Sequence, residues 1–175
     1  ERATHAFVAN EEDGDVSSLL VDSNSGQVSN LAVLQPDVGT TPTGIALTPD
    51  NRFAFVSGSG TNSVHPLDVD LVTGALTASQ PSIFLGNGTS PVAVAMGPNG
   101  RHVYSVNISA DNVVALDIDQ LNGALTAGTS AATGSLPRNG TIDPTGRFMY
   151  SSNSFSIAND DVSILGLSAS TGAIS

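Results

Sequence analysis

Apolar and polar residues alternate along this chain in short runs, and no stretch carries a sustained apolar stripe of helical period. The run "RFAFVSG" at 52–58 is typical, with turn-forming residues on either side. Around it the pattern predicts four strands in succession. "TGIALT" lies between Pro42 and Pro49, and "PDN" turns the chain into "RFAFVS". The Gly/Ser/Thr/Asn stretch "GSGTNS" leads to "VHPLDVD", and "LVTG" turns into "ALTASQ".

The same phrase recurs. Phe7, Phe55, Tyr104 and Tyr150 hold one place within "THAFVAN", "RFAFVSG", "RHVYSVN" and "RFMYSSN", at separations of 48, 49 and 46 residues. Gly26, Gly74, Gly123 and Gly172 form a second marker at separations of 48, 49 and 49. Pro42–Pro49, Pro91–Pro98 and Pro137–Pro144 each span seven positions, so the first strand and its turn keep one length. Four antiparallel strands in every such period predict an all-β fold, a β-propeller whose blades bury both faces against neighbours. Small residues such as Gly44, Ala46, Ala93 and Ala95 suit the crowded strand nearest the axis. The expected blades cover 1–37, 38–86, 87–133 and 134–175 of one domain, with three strands in the first and four in each of the others.

Composition narrows the function. The 175 residues hold 16 Asp and Glu against five Arg and no Lys, for a net charge of −11. Such a surface repels phosphate backbones and anionic lipid, which argues against nucleic-acid partners. No apolar run approaches the roughly 18 residues that cross a bilayer, so membrane insertion is not expected. Without cysteine, neither disulfides nor thiolate metal sites are available. The Lys-free, Ser/Thr/Asn-rich composition and a first residue other than Met suggest an exported, processed product, secreted, periplasmic or at the cell surface. Asn87, Asn107 and Asn139 open Asn-x-Ser/Thr triplets, acceptors for glycosylation in a eukaryotic secretory route.

The phrases "TPDNRFAFVSG", "GPNGRHVYSVN" and "DPTGRFMYSSN", with "TGALT" and "NGALT" closing two units, resemble the repeat of the lactonase-like seven-bladed propellers. That family includes 6-phosphogluconolactonases, 3-carboxymuconate-cyclizing enzymes and surface proteins built from Tyr-Val-Thr-Asn repeats. A seven-bladed ring at this period needs about 340 residues, so the chain corresponds to an N-terminal half. Three arrangements follow, in order of preference: part of a longer propeller, an assembly of copies, or closure of four blades on themselves. An open arc would expose two apolar blade faces, suited to a protein partner or to self-association.

The resemblance also implies where chemistry would lie. In the enzymes, first strands bring a His or carboxylate and an Arg to the channel mouth, to activate water and to stabilise the oxyanion of an opening lactone. The corresponding windows here are "TPTGIAL", "SPVAVAM" and "LPRNGTI", of which only Arg138 matches, followed by Asn139. These two are the candidate ligand-binding residues, and no catalytic base is found in the windows. No metal site is expected: no two His have ligand spacing, and "DGDVSSLLVDSN" lacks the Gly and terminal Glu of a calcium loop. No cofactor is implied either, since "GSGTNS" lacks the third Gly and the following helix of a dinucleotide loop.

His5 and His102 occupy a packing position held by Phe53 and Phe148 in sister repeats, and His65 beside Pro66 suggests a bulge or exposed edge. Glu11, Asp13 and Asp15 form an acidic loop. Asp70 and Asp119 serve turns, and Arg52, Arg101 and Arg147 suggest contacts within their own blades. The favoured function is a non-catalytic extracytoplasmic binding or assembly module. The alternative is the N-terminal half of a lactone hydrolase or lactonizing enzyme, acting on a small lactone or sugar acid.

Overall fold

A computed structural model describes residues 4–31, 36–155 and 162–175. Among them lie strands alone, grouped in four antiparallel sheets that follow one another along the chain. Blade 1 holds β1 (Thr4–Asn10), β2 (Asp15–Val21) and β3 (Val28–Asn30). Blade 2 holds β4 (Pro42–Leu47), β5 (Phe53–Gly58), β6 (Ser63–Val69), β7 (Leu76–Thr77) and β8 (Ile83–Phe84). Blade 3 holds β9 (Pro91–Met96), β10 (His102–Asn107), β11 (Asn112–Ile118) and β12 (Leu125–Ala132). Blade 4 holds β13 (Pro137–Ile142), β14 (Phe148–Asn153) and β15 (Val162–Gly166). The fold is part of a β-propeller. No helix long and apolar enough to cross a membrane occurs among the described residues.

Two strands depart from expectation. The fourth strand of blade 2 is broken: β7 and β8 both pair with β6, and the segment between them contains Pro81, which lacks the N–H a ladder needs. In blade 4 the fourth strand is reduced to a bridge between Leu167 and Ile174.

Alternation of side chains gives each blade two apolar faces. Phe53, Phe55 and Val64 of blade 2 pack with Val103, Leu116 and Ile118 of blade 3. In the same way Tyr104 and Val113 of blade 3 meet Met149 and Leu165 of blade 4, and Val16 of blade 1 meets Ala54, Val56 and Leu67 of blade 2. Among the described residues, the outer faces of the two end blades have no such cover. Val8 is 45% exposed, and Phe148 and Tyr150 are 39% and 37% exposed, so the four blades form an open arc rather than the closed four-blade ring.

The two sequence markers are the two halves of one contact between blades. The buried glycines Gly74, Gly123 and Gly172 press on the rings of His5, Phe53 and His102 of the preceding blade. A Cβ at Gly123 would come within 2.6 Å of Phe53 Cδ1, and the positive φ of 74° disfavours a side chain there as well. The turn is built by an aspartate: Asp70 Oδ1 accepts from the N–H groups of Val72 and Thr73 at 2.8 and 3.0 Å. The N–H of Thr73 is the chief cause that lowers the carboxyl pKa of Asp70. Arg52 adds to this lock. It stacks on Phe53 at 4.8 Å and donates from Nη1 and Nη2 to the carbonyls of Gln120 and Leu121 at 3.3 and 3.4 Å. The Arg52 hydrogen bonds therefore reach the next blade, because the glycine turn brings bare carbonyls within range. The stacking on Phe53 and the long Asp50 pair, at 4.0 Å, stay within its own blade.

The repeated asparagine at the end of each second strand pins the following hairpin. Asn10 Nδ2 donates to Asp15 and Ser17, Asn107 Nδ2 to Asn112, and Asn153 Nδ2 to Ser163. Blade 2 has Gly58 instead. There Thr61 Oγ1 donates to the Gly58 carbonyl at 3.1 Å and shares a hydrogen bond with His65 Nε2 at 3.0 Å. His65 is not in a bulge, since it pairs regularly with Val56; it lies at the stretch of β6 left without a ladder partner between the pairings to β8 and β7, half-buried, and burial lowers the imidazole pKa against the opposing pull of Asp37.

Candidate functional site

Each of the three complete first strands opens with the same irregularity. Pairing passes from Pro42↔Gly58 to Gly44↔Ser57, from Pro91↔Asn107 to Ala93↔Val106, and from Pro137↔Asn153 to Asn139↔Ser152. One residue is skipped each time: Thr43, Val92 and Arg138 sit in β-bulges, which re-aim side chains out of the ladder. The residue before each proline has a positive φ, 59° at Thr41, 47° at Ser90 and 52° at Leu136. Such backbone costs about 1–3 kcal/mol per residue and persists only where its surroundings hold it. Here the hold is visible. The carbonyls of Thr41, Ser90 and Leu136 accept from the N–H groups of Ser59, Ile108 and Ser154 at 3.0, 3.1 and 3.0 Å.

These repeated ties set two positions of the repeat side by side. Thr43, Val92 and Arg138 form one wall of a cleft of about 490 Å³, and Glu11, Ser59 and Ile108 form another. The second set follows Asn10, Gly58 and Asn107, the last residues of the second strands. Thr43 Oγ1 is committed to structure, donating to the Pro91 carbonyl at 3.1 Å and sharing a hydrogen bond with Ser57 Oγ at 3.1 Å. Arg138 Nε donates to Ser154 Oγ at 3.1 Å, and that hydroxyl donates to the Leu136 carbonyl at 3.0 Å. The base of the guanidinium is thereby oriented while the side chain stays exposed. Glu11 brings a carboxylate to the same cleft, and a second opening of about 790 Å³ runs from it past Glu12, Asp13 and Asp37.

The two sequence candidates are not brought together. Asn139 follows the bulge and lies on the open face of blade 4, beside Tyr150 and Val162 in a separate hollow of about 210 Å³. Its Oδ1 accepts from the Gly140 N–H at 2.8 Å. Glu11 is the residue that sequence reasoning missed, having read it only as part of an acidic loop. The available signal was its register: it follows the repeated asparagine, as Ser59 follows Gly58.

Of the three Asn-x-Ser/Thr positions, Asn87 and Asn139 are exposed, whereas Asn107 is fully buried. Asn107 accepts from Ser105 Oγ at 2.9 Å, and with Nδ2 bound to Asn112 the folded chain has no room there for a glycan. His102 packs as expected, with Nδ1 at 2.8 Å from Asp117. The acidic stretch 159–161 lies outside the described residues.

A family model described as "Lactonase, 7-bladed beta-propeller" matches residues 1–127 and 84–175. No curated protein sequence matches. Among solved structures, a protein from Lactobacillus plantarum superposes with a TM-score of 0.81 at 22% identity, over 98% of this chain and 50% of that one. A candidate 6-phosphogluconolactonase from Bacteroides uniformis gives 0.77 at 17% identity, over 98% and 52%. The periplasmic gluconolactonase of Pseudomonas aeruginosa gives 0.73 at 16%, over 99% and 52%. The chain thus spans about half the length of the structures it resembles.

Proposed function

Since the chain belongs to the lactonase family of seven-bladed β-propellers, we propose that it supplies about half of a lactone-processing ring, with the bulge-lined cleft as its share of the site. The observation that carries this reading is that Arg138 and Glu11 both line one cleft. A guanidinium held at Nε and exposed beyond it suits a substrate carboxylate, or the oxyanion that develops as a lactone carbonyl is attacked. A carboxylate in the same cleft suits the orientation and deprotonation of a water nucleophile. The family match favours this alternative over the non-catalytic module. Placement outside the cytoplasm is drawn from the Lys-free composition and from the periplasmic relative.

Hydrolysis of an aldonolactone by the purified chain, followed by acid release, tests the proposal. Arg138→Ala is expected to lower the rate by about 10²–10³-fold, and Glu11→Gln by about 10²–10⁴-fold, with the fold retained in both. Turnover that is absent, or indifferent to both changes, would overturn it.

A further inference from the structure

The wall of the cleft changes its chemistry from blade to blade while the backbone beneath it repeats. Two positions of the repeat supply that wall: the bulged residue of the first strand, and the residue that follows the second strand. Blade 2 places Thr43 and Ser59 there, and blade 4 places Arg138 with its hydrogen-bond partner Ser154. Blade 3 places Val92 and Ile108, both half-buried, at the same two positions. Strand β9 packs between β4 and β13, so this aliphatic pair stands between the hydroxyls of blade 2 and the guanidinium of blade 4. Ser90 and Ser109 of blade 3 also line the cleft, on either side of the pair along the chain.

The hydroxyls beside the pair are poorly placed to serve a sugar. A hydroxyl has one proton to give. Thr43 Oγ1 gives its proton to the Pro91 carbonyl at 3.1 Å, and Ser59 Oγ to the Thr41 carbonyl at 3.3 Å. Neither then donates to a substrate oxygen. The side chains of Val92 and Ile108 offer no hydrogen bond at all. A polyol laid against them loses its water without replacement, whereas an alkyl group gains from the burial.

We propose that Val92 and Ile108 set the specificity of the cleft, which takes a lactone bearing an alkyl substituent in preference to a polyhydroxylated aldonolactone; this rests on the lactone-processing reading above. The lactone carbonyl lies toward Arg138 and the alkyl group lies along blade 3. Water deprotonated by Glu11 adds to the carbonyl carbon, and the ring C–O bond breaks. The ring oxygen leaves with that proton as a hydroxyl, giving a hydroxy acid. An aldonolactone follows the same course more slowly, because its hydroxyls meet the aliphatic pair.

The test compares acid release from δ-octalactone and from glucono-δ-lactone, two δ-lactones that differ in their substituents, as kcat/KM above the uncatalysed rate. The wild type is expected to favour δ-octalactone by at least about tenfold, since one methylene in an apolar pocket is worth about 10–200-fold. Val92→Thr and Ile108→Ser install the residues that blade 2 carries at the same positions. Each should lower the ratio by about tenfold, chiefly through slower turnover of δ-octalactone. Val92 is also packed in part against the core between blades 3 and 4, so Ile108→Ser carries the test if Val92→Thr unfolds. A wild type that favours glucono-δ-lactone, or a ratio unmoved by Ile108→Ser, overturns the specificity; turnover that still collapses in Arg138→Ala then leaves the lactone-processing reading standing. No turnover of either lactone overturns both.

Discussion

Phe53 and Phe148 open the second strands of blades 2 and 4, each after an arginine whose guanidinium stacks on the ring. One is 6% exposed and the other 39%. The local sequence and the pairing of the strands are alike, so the difference comes from what stands on the other side. For Phe53 that is Gly123 and the inner face of blade 3. In a propeller, a side chain's contribution to stability is set by the neighbouring blade as much as by its own.

Replacing equivalent aromatics should expose that contrast most strongly. Phe55→Ala removes a fully buried ring from the contact between blades 2 and 3 and should cost about 3–5 kcal/mol in urea unfolding. Tyr150→Ala should cost less than about 1 kcal/mol, because Tyr150 is already partly exposed among the described residues. Equal losses would mean that burial by the neighbour is not what separates the two blades.

The glycine turns sharpen the comparison. Gly123→Ala and Gly26→Ala share the left-handed backbone penalty of about 1–2 kcal/mol. Only Gly123→Ala also drives a methyl into the Phe53 ring, adding about 1–3 kcal/mol of overpacking. Thermal unfolding of the two variants side by side reads the difference directly.

The smallest effect concerns the one hairpin without the repeated asparagine. A Cβ at Gly58 would lie 2.5 Å from Thr61 Oγ1 and 3.0 Å from His65 Nε2, so Gly58→Asn alone should cost about 1–3 kcal/mol. Adding His65→Ser recreates the Asn–Ser pairing of blades 1 and 4 and should recover most of that loss. The same exchange tests a pH effect. With its pKa lowered from 6.5 by burial, His65 folds neutral while the unfolded chain takes up a proton more readily. Its contribution is present above pH 6.5 and is lost as pH falls through the lower folded value. The wild type should therefore lose stability on acidification through this range by an amount that His65→Ser removes.

The fold was largely legible in advance, because strand alternation and the two spaced markers are local patterns that survive in any context. The site was legible only in part. Arg138 could be named from its place after Pro137, but Asn139, its neighbour in sequence, faces the other side of the strand. Glu11 was hidden because its place in the cleft depends on lying across from residues about thirty to one hundred and thirty positions away.

Sequence alone determined the period, the strand-and-turn rhythm and the identity of the repeated aromatic and glycine, since each follows from backbone preference and side-chain alternation. Tertiary structure alone decided that ring and glycine are partners, that three bulges aim at one cleft, and that Arg52 serves the next blade. The reason is physical: those contacts join residues of different blades, and their energies depend on distances that no local run of residues encodes.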